Sequence, residues 1–460
     1  MKMSRADAHT LRRSVDRAPA HRFFSDRTER VGVADLVRGT SLGGGAAALA
    51  GRSVLVATTG QLTSALALIE LDGVARRLIV LPPDVDAAHI GSLMADAEVD
   101  AVVVDGDGPE ACFGVPLRVA CTTRIAPCEQ RPAVAMETEW LLLTSGTTGV
   151  PKMVVHSLKS LTAAIAPEKS EAVVWGTFYD IRRYGGLQIF LRAVIGNTSL
   201  ILSSAGEPVA DHLLRLARHG VTHLTGTPSH WRRALMSPDI GKIAPRYIRL
   251  SGEIADQAIL DNLRAAFPRA GMGHAYATTE AGVGFAVNDG LAGFPAAYLD
   301  GNHDGVEIKV VGGSLHVRSP GAAGRYIARA SSLRDRDGFV DTGDMVERRG
   351  DRYFFVGRKG GIINIGGLKV HPEEVEAVIN RHPQVRMSLV RPKRSPFTGA
   401  IVIADVVLKS ACEGAENEAE VKDDILRLCR GALPRHKVPA AISVVPALAV
   451  AATGKLVRRL

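Results

Sequence analysis

Cysteine is sparse in this chain of 460 residues: there are five, at positions 112, 121, 128, 412 and 429. No two form a C-x-x-C pair, and Cys121 with Cys128 has no second pair to complete a metal site. An odd, widely spaced set belongs with reduced thiols rather than a disulfide frame, so the expected compartment is the cytoplasm. Long apolar runs are missing too; none reaches membrane-spanning length, and no membrane span is expected. The first 30 residues are basic but lack the apolar stretch of a secretory signal. Solenoid-period repeats and low-complexity tracts are absent. Charge is not concentrated either. The formal net charge is +8, yet the arginines are scattered rather than gathered with aromatics on one face, which argues against a nucleic-acid partner. The same surplus suits small anionic ligands and plain solubility alike.

What is present is an ordinary globular composition, 46% hydrophobic and 23% charged, with room for two or three domains. The 47 glycines point to many tight turns. After a weakly patterned start, short apolar runs at 53–57, 77–81 and 101–104 alternate with helix-length segments at 61–71 and 89–97. Such alternation predicts a parallel sheet covered on both faces. A second set follows, with strands at 198–202, 221–225 and 247–250 and helices between and after them. From 305 to 356 the texture changes to alternating strands with glycine turns, which reads as antiparallel sheet. The turn Gly357-Arg358-Lys359-Gly360-Gly361 is a candidate hinge. Beyond it lies a small α+β unit whose first helix starts at Pro372, with Glu373 and Glu374 in its first turn. The predicted fold is therefore α/β. A large multi-subdomain N-terminal domain (1–356) has parallel sheets and a β-rich subdomain, followed by a hinge (357–361) and a small, mobile α+β C-terminal domain (362–460).

The segment Thr144-Ser145-Gly146-Thr147-Thr148-Gly149-Val150-Pro151-Lys152 follows the apolar run Trp140–Leu143. A strand leading into such a loop aims backbone N–H groups, hydroxyls and one cation at a single spot, as polyphosphate binding requires. A Walker A loop cannot be laid over it. The segment closely resembles the phosphate loop of the adenylate-forming superfamily: acyl-CoA synthetases, aryl-acid ligases, luciferases and peptide-synthetase adenylation domains. The resemblance implies ATP, with Thr144, Ser145, Gly146, Thr147, Thr148, Gly149 and Lys152 around its phosphates.

Further segments match the same superfamily in order and spacing. Tyr276-Ala277-Thr278-Thr279-Glu280 resembles its Tyr-Gly-x-Thr-Glu pattern, with alanine in place of glycine. This implies Tyr276 against adenine, the Thr279 hydroxyl at the α-phosphate and Glu280 on Mg²⁺. Ser251-Gly252-Glu253 resembles the loop that borders the nucleotide, which makes Gly252 and Glu253 ATP-site candidates. Asp341-Thr342-Gly343-Asp344 matches a Thr-Gly-Asp signature whose aspartate, here Asp344, accepts the ribose hydroxyls; Arg358 corresponds to an arginine near the ribose. An Asp-Thr-Gly triplet also occurs in aspartic proteases, but these need two such loops and only one is present. Gly360 stands where the superfamily places an Asp or Lys hinge residue. Gly366 and Gly367 correspond to backbone that a pantetheine arm passes. Thr453-Gly454-Lys455 resembles the loop whose lysine, here Lys455, neutralises charge at the reacting phosphate.

The acid-binding pocket is the least legible part. Between Phe178 and Leu187 the candidates are Asp180, Tyr184 and Gly185, in an ambiguous register. His156, His223, His230 and His274 read as structural. The resemblance spans about residues 50–460, with a start shorter than is usual for the superfamily. It implies an ATP- and Mg²⁺-dependent ligase. A small carboxylic acid becomes an acyl-adenylate, then a thioester with CoA or with the phosphopantetheine of a separate carrier protein. The alternative is transfer of the same adenylate to an amine, an alcohol or another non-thiol nucleophile. A non-enzymatic nucleotide-binding role would leave Lys152, Glu280, Asp344 and Lys455 without purpose.

Overall fold

The computed structural model describes residues 10–457 except 113, 129–135, 145–150, 167–171, 329–331, 396–398, 410–414, 452 and 453. Short Val/Ile/Leu-rich runs become buried central strands. Ser53–Val56, Arg77–Val80 and Ala101–Val104 are buried at every position and pair in parallel. Sequence patterning placed all three. The helix Gln61–Leu71, buried along its whole length, covers this sheet. Its one carboxylate, Glu70, is satisfied by Thr40 and by the backbone and hydroxyl of Ser41, as a buried charge must be. The sheet is mixed rather than purely parallel. Glu139–Thr144 runs parallel to Arg77–Val80, but Lys152–His156 returns antiparallel beside it.

A second sheet takes the strands Val174–Thr177, Ser199–Ile201, His223–Gly226, Tyr247–Ser251 and Gly271–Thr278 in parallel, then closes with the antiparallel Gly282–Val287. The weakly patterned N-terminal segment belongs to this layer. Phe23–Ser25 pairs in parallel with Ser199–Ile201, and Leu11, Val15 and Phe24 are buried. Its strands are only three residues long, too short to show a period in the sequence. An antiparallel sheet of Glu307–Val311, Ser314–Arg318, Val340–Arg349, Arg352–Arg358 and the short Phe294–Pro295 forms the β-rich subdomain.

The C-terminal unit is a hairpin, Ile363–Ile365 with Leu368–Val370, a sheet of Val385–Ser395, Gly399–Leu408 and Ala441–Val444, and the helices Pro372–Ile379 and Ala415–Ala432. Val375, Val378 and Ile379, the stripe expected from spacing, meet Val390, Val406 and Ile425 in its core. Among the described residues, each hydrophobic cluster stays on one side of 357–361. Polar contacts cross that boundary. Asn380 donates to Asp256 (3.1 Å), Arg232 to the Arg386 carbonyl (3.4 Å), and Arg349 meets Glu374 (3.4 Å). No helix among the described residues is long and apolar enough to cross a membrane.

Candidate active site

The parallel strands of the second sheet end on a common edge, where ligands of open α/β sheets bind. Three of them carry chemistry into it. Tyr247–Ser251 runs into Gly252, held at φ +86°. His223–Gly226 runs into Thr227, whose hydroxyl and whose partner His230 close a capping box on the helix Pro228–Ala234. Gly271–Thr278 runs into the turn bearing Thr279 and Glu280.

The loop bearing Lys455 is docked on this edge. Thr227 donates to the Gly454 carbonyl (2.6 Å), and the Leu456 amide donates to Glu253 (3.1 Å). The Lys455 Cε lies 3.5 Å from where a Cβ on Gly252 would stand. Gly454, at φ +72°, lies flat against His230; a Cβ there would fall 1.8 Å from the ring. His230 in turn stacks on Phe178 (5.6 Å, 18°) and meets Tyr179 edge-on. Burial drives its pKa down to about 3, with Arg233 and His212 adding to the effect.

Lys455 is held below the ordinary lysine range, first by loss of hydration and then by Arg358, with Glu253 and Asp344 opposing. By accessible area the residue is nonetheless exposed. Its dehydration is therefore partial. Arg358 donates to Asp344 (2.7 Å), and Asp344 also accepts from the Tyr276 hydroxyl (2.6 Å). Burial first, and then the negative charge of Asp344, push the Tyr276 phenol far above its ordinary range, so it stays a donor. Each Asp344 oxygen keeps a further lone pair for an incoming hydroxyl. The Tyr276 ring is stacked between neighbours Phe285 (5.4 Å) and Phe355 (4.9 Å).

Thr144 ends its strand and pairs directly with Lys152 on the next. Ser145, Gly146, Thr147, Thr148 and Gly149 lie outside the described residues, as does Thr453. Glu253, expected beside the nucleotide, instead spends its carboxylate on the Ser229 amide and hydroxyl and on Leu456. It anchors the lysine loop. Asp180 forms a bidentate pair with buried Arg182 (2.6 and 2.9 Å), and Arg182 donates to the Thr58 and Thr59 carbonyls. That pair is a structural clamp. Tyr184 is buried, and Gly185 is exposed, with the Tyr179 ring 3.9 Å from its would-be Cβ. Of the three acid-pocket candidates, Gly185 alone is open to solvent. Gly366 and Gly367, at φ +55° and +89°, form the two-residue turn of a hairpin, and a Cβ on either would touch nothing. Their turn conformation accounts for glycine by itself. Gly360 lies exposed in the short turn Lys359–Gly361, whose Lys359 is tied to Asp341 (2.8 Å).

The sequence reading missed Thr227 and His230 as the seat of the lysine loop. Their signal was a helix start, Thr-Pro-Ser-His, which says nothing of a partner 227 residues away. His156 was also read as structural. It is buried, its Nε2 lies 2.8 Å from the Thr279 carbonyl, and desolvation lowers its pKa to about 4. Among the described residues, no group of three or more His, Cys, Asp or Glu could hold a metal by itself. A Mg²⁺ that arrives on a polyphosphate takes only one or two protein carboxylates, and Glu280, whose charge is felt by Arg358, offers one.

The geometry has counterparts among known proteins. The chain is 27% identical over 416 residues to a probable non-canonical nonribosomal peptide synthetase, CymA, of Salinispora arenicola, covering 82% of this chain but 5% of that protein. It is 27% identical over 421 residues to a probable CoA ligase, CCL9, of Humulus lupulus, covering 85% of this chain and 77% of the other. A benzoate CoA ligase from Burkholderia xenovorans LB400 has the same fold, with a TM-score of 0.81 at 19% identity over 98% of this chain and 99% of that one. The C-terminal domain profile of AMP-binding enzymes matches residues 374–455, which include the docked lysine. The AMP-binding enzyme profile itself matches residues 46–332, more than half of the sequence, and the chain therefore belongs to the AMP-binding enzyme family.

Proposed function

We propose that this protein joins a small carboxylic acid to ATP as an acyl-adenylate and then transfers the acyl group to a thiol, either of CoA or of a carrier-protein pantetheine. The observation that carries the reading is the docked loop, which brings Lys455 over the cleft edged by Gly252, with Asp344 and Arg358 among the charges it feels. In the first step a carboxylate oxygen attacks the α-phosphorus of ATP, and pyrophosphate leaves. Negative charge grows on the non-bridging oxygens, where the Lys455 ammonium offsets it. Thr144, Lys152 and the adjoining loop hold the leaving phosphates. Asp344 takes the ribose hydroxyls while Tyr276 and Arg358 fix its orientation. Mg²⁺, bound by Glu280, supplies charge neutralisation at the phosphates. In the second step the thiol attacks the acyl carbon and AMP leaves. For that step the C-terminal domain rotates about Gly360, carrying Lys455 away and bringing Gly366 and Gly367 towards the thiol's path. The polar contacts across 357–361 suit such a joint, since polar interfaces of modest size permit domain motion.

The test is acid-dependent pyrophosphate release across a panel of aliphatic, aryl and amino acids, followed by mass analysis of the product formed with CoA. A thioester supports the reading. Pyrophosphate release with no thioester on CoA or on an added carrier protein would refute its second step, and no release with any acid would refute it entirely.

A further inference from the structure

The turn Thr279-Glu280-Ala281 is clamped by its backbone and leaves its two working side chains uncommitted. The Thr279 carbonyl accepts from His156, and the Glu280 carbonyl accepts from the Ala323 amide (2.9 Å). The Ala281 amide donates to the Thr278 hydroxyl (2.9 Å). Gly282, at φ +77°, is pressed on Gly321, with its would-be Cβ 2.5 Å from the Gly321 carbonyl. Among the described residues, the Thr279 hydroxyl and the Glu280 carboxylate make no hydrogen bond.

Among the described residues, His156 is the one side chain that donates to this turn from the other sheet. A carbonyl can only accept, so Nε2 carries the proton, and Nδ1 faces the Ser160 hydroxyl at 3.0 Å, whose one proton is shared between it and the Ser157 carbonyl. Ser160 is fixed by the capping box that starts the helix Leu158–Thr162. The Tyr184 ring lies 5.8 Å away, centroid to centroid. The ring of His156 therefore has one orientation and one tautomer. Its strand, Lys152–His156, is paired along its whole length with Glu139–Thr144. Residues 152 and 156 lie on the same face of that strand, about 13 Å apart at the usual rise. One rigid strand thus carries Lys152 at one end and braces the Thr279–Glu280 turn at the other.

We propose that His156 is a positioning residue for the Thr279–Glu280 turn, setting the Glu280 carboxylate and Thr279 hydroxyl in register with Lys152. This rests on the proposed function, in which those groups receive Mg²⁺ and the phosphates. His156→Leu removes the donor and leaves a buried carbonyl without a partner. A shift of about 1 Å in the turn is enough to lower turnover about 100-fold. His156→Gln keeps an N–H at a similar reach. Four quantities are to be read in wild type and both variants: melting temperature, ATP affinity by calorimetry with and without Mg²⁺, the Mg²⁺ concentration for half-maximal adenylation, and thioester formation from a pre-made adenylate. His156→Leu should lose most of the Mg²⁺-dependent gain in ATP affinity and need about tenfold more Mg²⁺, while thioester formation stays within twofold. His156→Gln should recover most of the Mg²⁺ response. Wild-type Mg²⁺ response in His156→Leu, equal defects in both variants, or parallel loss of both half-reactions with a lowered melting temperature would each overturn the proposal. A wild-type protein that binds ATP with no Mg²⁺ enhancement and activates no acid would instead overturn the function on which it rests.

Discussion

The flat contact between Gly454 and His230 makes Gly454→Ala a selective perturbation. The new methyl would have to occupy φ +72°, which disfavours a non-glycine residue by about 1–2 kcal/mol. It would also stand 1.8 Å from the His230 Cε1 and 2.2 Å from Nε2. The ring cannot retreat, because Phe178 stacks on it and Tyr179 meets its edge. Forcing a methyl into such a place costs about 1–3 kcal/mol. The closed arrangement is therefore disfavoured by about 2–5 kcal/mol, which is about 30-fold to several thousand-fold in adenylation rate at 1.36 kcal/mol per decade. The fold itself is spared, since the loop can undock without opening any hydrophobic cluster. The assay compares pyrophosphate release for an accepted acid with thioester formation from the synthetic adenylate, alongside a thermal melt. Adenylation should fall by at least 30-fold, thioester formation should hold, and the melting temperature should move little. Adding His230→Ala makes room for the methyl and should restore part of the adenylation rate, a coupling that a double-mutant cycle reads directly. Wild-type adenylation in Gly454→Ala, or no rescue by the second change, would refute the reasoning.

Lys455→Ala should cripple adenylation and spare thioester formation from the pre-made adenylate; equal loss in both would remove the lysine from the first step. Asn380→Ala deletes a bond across the domain boundary while leaving Asp256 to cap its own helix through Ile259. It should slow adenylation about 2- to 10-fold, the worth of one ordinary hydrogen bond, with no loss in the second step; half-reaction rates that fall together would count against it. Asp72 gives a pH prediction. Burial first raises its carboxyl from the ordinary 3.8 to about 6, against hydrogen bonds from Leu11 and Trp140. The folded state then binds more protons than the unfolded one between those values, so this group's contribution is present below pH 3.8 and is lost as pH rises through 6. At 1.36 kcal/mol per unit the loss is about 3 kcal/mol. Urea denaturation of Asp72→Asn against wild type should show the difference shifting in favour of the mutant by that order between pH 4 and pH 7; a pH-independent difference would refute it.

Local patterns were legible where one segment carries its own signal. The helix Gln61–Leu71 and the strand Ala101–Val104 have the limits their apolar runs predict, because both are buried along their whole length. The Thr-Gly-Asp and Thr-Gly-Lys segments singled out Asp344 and Lys455 by their resemblance to superfamily signatures, each carried by one short stretch of chain. Long-range pairings were not legible. Nothing near Glu253 reveals that its carboxylate meets Leu456, 203 residues on, and Asp180 reads as a free acid until Arg182 is seen wrapped around it. His156 looks like any core histidine in sequence, because its acceptor is a carbonyl 123 residues away, and every residue has one of those.

The segregation of the hydrophobic clusters on either side of 357–361 has a thermal consequence. Opening a joint between two such bodies transfers little apolar area to water, and apolar hydration is the main source of positive heat-capacity change. The ratio of closed to open forms should therefore follow a nearly straight van 't Hoff line, without the curvature that accompanies unfolding. Ionic strength is the stronger lever, since the Arg349–Glu374 pair across the boundary is partly open to solvent and screened within a Debye length of about 8 Å in physiological salt. If the C-terminal domain rotates as proposed, its two arrangements would keep much the same proportion in cold and in warm surroundings, and would register a change of salt before a change of temperature.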